Sequence, residues 1–491
     1  MLNFCSVFAI LSGVVWLGRA TEVDFKVSRP RVHQTPDGSY VDFANNFDDY
    51  NLLHKLVYLD ACGSEISDEH FLGDYEWTFT YIVSSQVSGV RTGTSAASRG
   101  GSSNSNPNPF AKNSGSDGNS DSETRRNPFS NGAIGKRSVV KGPWSDSRSV
   151  FEFCDIVWYA PWEGEFDITL RYKVDKKTIS QKSQRVVVRD IWLAALGDSV
   201  MSGQGNPDEP KPTSILKILE GPKWLDEGCS KSAKGSFAYM TFQEIEKEFK
   251  DYGILFTFIP CSDASIDVGI LGAQRDRRPQ FEVIEDIVRQ MRNSCECADC
   301  CKTVPDSLLL SIGANDIEFS SIAAGMVTGD IEEYVNKAPT NINKLKANLY
   351  RLSQRIKDLG IPSERVLYME YFDPLRNENA QIDAACRRVG VAEEKDLKDI
   401  DNKVLKPLNK AIENACKSYG WVFGKGAHEA FRRHGVCSDD SYIRSIAESL
   451  EMQGNVRGAY HPNQAGQVAL TDVVWASYLR DTLRKRYPKK R

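Results

Sequence analysis

Three apolar runs in this 491-residue chain end on side chains able to move a proton or meet a developing negative charge. In "IWLAALGDS" (191–199) the apolar stretch breaks at Gly197 and Asp198 and presents Ser199. A serine hydroxyl is a weak nucleophile until a base takes its proton, and imidazole is the usual base near neutral pH. Of the six histidines, His461 stands in "GAYHPNQAGQ" (458–467), just ahead of a helical run. Attack on a carbonyl also needs donors aimed at the oxyanion, typically backbone N–H groups and a carboxamide. Asn315 supplies the carboxamide, in a turn between Gly313 and Asp316, and "CSDAS" (261–265) forms the third strand end. Each motif alone is an ordinary turn. Their order along one chain is the specific feature.

The elements that would carry these residues fall in two regions. From 21 to 189 the chain reads as β structure, with "EWTFTYIV" (76–83), "FEFCDIVWYA" (151–160), "EFDITLRYKV" (165–174) and "SQRVVVRD" (183–190) rich in β-branched and aromatic residues. A small immunoglobulin-like β-sandwich is the economical solution. Residues 84–145 interrupt it with Ser, Gly and Asn and few large apolar groups, the composition of a disordered loop. From 190 to 482 short apolar runs (191–199, 254–262, 307–316, 365–373) alternate with helical patterns (236–253, 343–360). That alternation predicts an α/β domain around a parallel sheet, whose ligands bind beyond the carboxyl ends of the strands.

The set "ALGDSVMSGQG", "IPCSDAS", "SIGAND" and "YHPNQAGQ" resembles the SGNH (GDSL-type) hydrolases, within them the secreted esterase and lipase branch. "CSKSAKGSFAYMTF" (229–242), "FDPLRNE" (372–378) and "FRRHGVC" (431–437) add to the likeness, which spans roughly 190–480. The resemblance implies a three-layer α/β/α sandwich. It also implies Ser199 as nucleophile and His461 as general base and acid. The oxyanion donors would be the Ser199 N–H, a backbone N–H at Asp263 and the Asn315 amide, with Gly197, Asp198, Gly313 and Asp316 in support. Two positions depart from the family pattern. Asp263 stands where Gly is usual, and its carboxylate would repel an oxyanion unless turned away. Gly458 stands where many members place the Asp that orients the histidine. The expectation is therefore a Ser-His dyad, with a main-chain carbonyl holding Nδ1.

Composition narrows the rest. Hydrophobic residues at 41% and charged residues at 26% are ordinary globular values, and a net charge of −4 gives no basic footprint for nucleic acid. Residues 1–20 read as a signal peptide, apolar from Val7 to Leu17 with Gly18 and Ala20 at a cleavage site, so a secreted protein is expected. No later segment is apolar enough to span a membrane, and 483–491 is a basic tail. Removing Cys5 with the leader leaves eleven of twelve cysteines, an odd number that predicts one unpaired thiol. Cys62 and Cys154 are the only two in the β region and should pair. "CECADCC" (Cys295, Cys297, Cys300, Cys301) reads as disulfide-forming rather than zinc-binding, because its four sulfurs crowd into seven residues.

"HEAFRRH" (428–434) lacks the H-E-x-x-H spacing of a zinc helix, since Arg432 occupies the second histidine position. G-x-S-x-G, the nucleophile elbow of the other large hydrolase class, is absent from the chain. No metal or cofactor is expected. The expected activity is a secreted serine esterase or lipase acting on an acyl ester of a lipid, small molecule or glycan. Two alternatives stand beside it: a carbohydrate O-deacetylase with the same machinery, and a binding protein that keeps the fold without the chemistry. The sequence names no partner for the β-sandwich.

Overall fold

The computed structural model describes residues 22–28, 56–65, 74–82, 138–141, 147–151, 154–160, 163–212, 220–293, 303–382, 386 and 390–488. The leader, most of the Ser/Gly/Asn-rich stretch, the cysteine cluster at 295–301 and the last three residues of the tail lie outside them.

Eight strands come first: β1 (Lys26–Ser28), β2 (Leu56–Asp60), β3 (Asp74–Ile82), β4 (Ser138–Lys141), β5 (Ser147–Phe151), β6 (Asp155–Tyr159), β7 (Gly164–Val174) and β8 (Lys177–Val188). They form two four-stranded sheets, β1-β2-β6-β4 and β5-β3-β7-β8, whose inner faces share one apolar core. Period-two alternation sends Phe166, Ile168, Leu170 and Tyr172 of β7 inward. Across the sheets Phe79 stacks on Trp158 at 4.4 Å between centroids, and Trp158 meets Phe166 edge-on at 4.9 Å. Cys62 and Cys154 are joined by a disulfide.

Three expectations need correction here. Residues 138–141, placed in the loop, form β4, which pairs with β6 in parallel. The run 151–160 is divided between the end of β5 and β6. β8 begins well before 183, since Asp175 and Lys176 take left-handed conformations (φ 49° and 65°) and close a hairpin. Its leading half is exposed and polar, so it carries no apolar period.

The second region holds a five-stranded, all-parallel sheet built from β9 (Asp190–Gly197), β10 (Gly253–Phe258), β11 (Ser307–Ser311), β12 (Val366–Met369) and β13 (Val422–Gly424). Its order is β10-β9-β11-β12-β13. Every residue of β9 and β11 is buried, as strands covered on both faces must be. The chain moves one way from β9 to β10 and the other way from β10 onward. Right-handed crossovers therefore put the helix Phe237–Glu248 on one face and Gln280–Asn293, Glu332–Asp358 and Lys406–Tyr419 on the other. The helix Gln464–Val474 returns to pack on Phe237–Glu248. The helical pattern read at 343–360 is the second half of Glu332–Asp358, which runs through Pro339. The strand order reverses between β9 and β11. This is the switch point at which open α/β sheets bind ligands.

Candidate active site

β9 ends at Gly197 because no larger residue fits there: a Cβ would lie 2.4 Å from the carbonyl oxygen of Ser311 on neighbouring β11. Gln280 clamps this glycine with both ends of its amide, donating to its carbonyl oxygen and accepting from its N–H, each at 2.9 Å. Asp198 is fully buried and caps the short helix Ser199–Ser202, accepting from the Val200 N–H at 3.0 Å. Burial pushes its carboxyl up to about 7, against hydrogen bonds from Tyr371 and Val200 that favour the ionised form. Gln467 braces the same helix by donating to the Val200 carbonyl.

His461 comes from a turn ahead of Gln464–Val474. That turn is set by Tyr460 in a left-handed conformation (φ 63°) and by the Arg444 N–H, which donates to the His461 carbonyl at 2.8 Å. Asn206, just past the helix Ser199–Ser202, links the two turns: it donates to the Pro462 carbonyl and accepts from the buried Arg444 guanidinium. The imidazole Nε2 lies 2.7 Å from Ser199 Oγ, and Nδ1 lies 3.1 Å from the Ala459 carbonyl oxygen. With the Nδ1 proton on that carbonyl, Nε2 presents its lone pair to the hydroxyl. Burial lowers the His461 pKa, partly offset by the Ala459 carbonyl and the charge of Asp263.

Position 458 has no room for a carboxylate. A Cβ on Gly458 would lie 2.7 Å from Gly205 Cα and 2.9 Å from Ser449 Oγ.

The remaining strand ends are those of β10 and β11, the two strands that flank β9. Asn315 opens a tight turn after β11, past Gly313 (φ 122°), and donates to the Ala264 carbonyl at 2.8 Å. Ser320 donates to its Oδ1 at 2.8 Å and so fixes which way the amide faces. Asp316 accepts from the Ile266 N–H and the Asn348 amide, tying the β10 and β11 loops together. Asp263 has φ 67°, in the left-handed region that favours glycine and that Asp tolerates better than most residues. Its carboxylate is drawn to Arg275 at 2.7 Å and Arg457 at 3.7 Å. The disulfide Cys229–Cys261 anchors the start of this loop. The N–H groups of Ser199 and Asp263 carry no hydrogen bond among the described residues.

Ser199 and His461, far apart in sequence, are thus brought into contact, and Asp263 and Asn315 stand in the turns after the two strands that flank β9. Gln280, Asn206 and Tyr371 were not read from the sequence. His428 and His434 part company: the first ring approaches Asp373, the second stacks on Tyr442 at 3.9 Å. A third disulfide joins Cys386 and Cys437, and Cys416 is a buried free thiol. No helix among the described residues is long and apolar enough to cross a membrane.

No family model matches the chain, and no curated protein matches it. Among solved structures it is similar to an extracellular lipase from Streptomyces rimosus, at 20% identity and a TM-score of 0.43, over 59% of this chain and 100% of that one. A phospholipase A1 from Streptomyces albidoflavus matches at 20% identity and a TM-score of 0.39, over 59% and 99%. An acetyl xylan esterase variant from Geobacillus stearothermophilus matches at 14% identity and a TM-score of 0.31, over 59% and 96%.

Proposed function

We propose that this chain is a secreted serine ester hydrolase of the SGNH type, working through a Ser199–His461 dyad. The observation that carries the reading is the His461 ring, with Nε2 2.7 Å from Ser199 Oγ and Nδ1 on the Ala459 carbonyl. Ser199 Oγ attacks the ester carbonyl carbon as Nε2 takes its proton. The oxyanion is met by the Ser199 and Asp263 N–H groups and by the second hydrogen of the Asn315 amide, the first being held by Ala264. Collapse returns the electron pair, breaks the bond to the alkoxy oxygen and hands the proton from His461 to the departing alcohol. Water, deprotonated by His461, then attacks the acyl-enzyme and releases the acid and the serine.

The dyad works without a carboxylate because the base has only to stay neutral and correctly oriented. The Ala459 carbonyl sets the tautomer and burial keeps the ring uncharged. Arg275 and Arg457 draw the Asp263 carboxylate to themselves by ion pairs. Secretion is supported by the three disulfides among the described residues and by the apolar leader.

Fluorophosphonate labelling with peptide mapping tests the assignment. The tag should fall on Ser199, and Ser199→Ala should abolish both labelling and hydrolysis of a short-chain nitrophenyl ester. Activity persisting in that variant refutes the nucleophile. Wild-type protein that turns over neither a series of acyl-chain lengths nor acetylated glycans is a binding protein on the same fold.

A further inference from the structure

We infer that Tyr371 is a positioning residue for this hydrolysis, its buried hydroxyl holding the Asn315 turn in register with the Ser199 turn. The inference rests on the dyad reading above. Tyr371 lies just past β12, a strand separated from β9 by β11, yet its hydroxyl reaches beneath the end of β11 to both turns. It donates to Asp198 Oδ2 at 2.5 Å and accepts from the Ala314 N–H at 3.1 Å. Asp198 immediately precedes Ser199, and Ala314 immediately precedes Asn315. One oxygen atom therefore joins the residue before the nucleophile to the residue before the oxyanion donor.

The tyrosine is itself fixed. Asn409, on the helix Lys406–Tyr419, accepts from the Tyr371 N–H at 2.9 Å and donates to its carbonyl at 2.8 Å. The side chain is almost fully buried, and burial together with the Asp198 charge holds the phenol well above its usual pKa. It remains a donor throughout the range in which His461 titrates. An oxyanion donor acts only in the transition state and only within hydrogen-bond distance of the forming charge. Loss of the tie should thus lower kcat and leave KM nearly unchanged.

A double-mutant cycle with Asn315 tests this on the full-length protein, with a short-chain nitrophenyl ester as substrate. Tyr371→Phe, which keeps the ring and removes both hydrogen bonds, should lower kcat by about 10- to 100-fold. Asn315→Ala should lower it by about 10²- to 10³-fold. The double variant should fall no more than about threefold below Asn315→Ala, because the group being positioned is already gone. Losses that multiply, a loss confined to KM, or unchanged kcat in Tyr371→Phe would each overturn the inference. If Tyr371→Phe fails to fold by thermal melt, Asn409→Ala serves in its place, with the same kcat loss and the same silence in the Asn315→Ala background expected. Wild type inactive on all esters removes the dyad reading and this inference together. Active wild type with multiplying losses removes this inference alone.

Discussion

At the scale of single residues, the absence of a carboxylate behind His461 is balanced by one in front of it. Asp263 is among the groups that raise the histidine's proton affinity, while burial lowers it by more and sets the net direction. The acid limb of kcat/KM reports the base in the free enzyme, so it should lie below 6.5, the usual imidazole value. Asp263→Asn keeps a residue that tolerates φ 67° and removes only the charge. It should move the limb to still lower pH with the plateau changed little. A limb that stays in place would show that Arg275 and Arg457 already cancel the carboxylate at the ring.

At the scale of elements, the site is a set of loops locked to one another, and each lock removes a freedom that sequence motifs take for granted. Gly458 packs on Gly205, whose own φ of 93° shapes the turn after the nucleophile helix. Gly458→Asp, which writes in a carboxylate three residues before His461, should therefore fail to build a triad. It should destabilise the fold by about 1–3 kcal/mol, the usual effect of overpacking, and lower kcat; urea unfolding and steady-state kinetics check both. A stable variant with raised kcat would mean that the dyad is an incomplete triad. The motifs made the three strand ends and the His461 turn legible because Ser, His and Asn at such turns are distinctive residue types. Gln280, Asn206 and Tyr371 escaped because each acts across a large sequence gap through a common side chain, and nothing local marks it. The same holds for structure: the fully buried β9 and β11 announce themselves, whereas three-residue β13 and the polar half of β8 have too little apolar pattern to be seen.

At the scale of the whole molecule, the site loads the fold with groups whose proton binding changes on folding, and two of them, Asp198 and His461, act in opposite directions. Asp198 binds its proton more tightly in the folded chain, since burial carries its pKa to about 7. Its contribution to stability is complete below the unfolded carboxylate value, near pH 4, and is lost as pH rises through about 7, by up to about 4 kcal/mol. His461, with its pKa lowered, contributes the reverse: stability present above the unfolded value and lost as pH falls through the folded one. Because the reaction needs neutral imidazole, the enzyme works on the side of this balance where Asp198 is least favourable. Urea unfolding at pH 5 and pH 8 should accordingly find the wild type weakened at the higher pH more than Asp198→Asn, which cannot titrate there and still offers an oxygen to the Val200 N–H. An identical pH dependence in the two proteins would place the proton elsewhere. A reduced dependence would identify the carboxylate beneath Ser199 as a point where the geometry of the nucleophile turn is held at the expense of the fold.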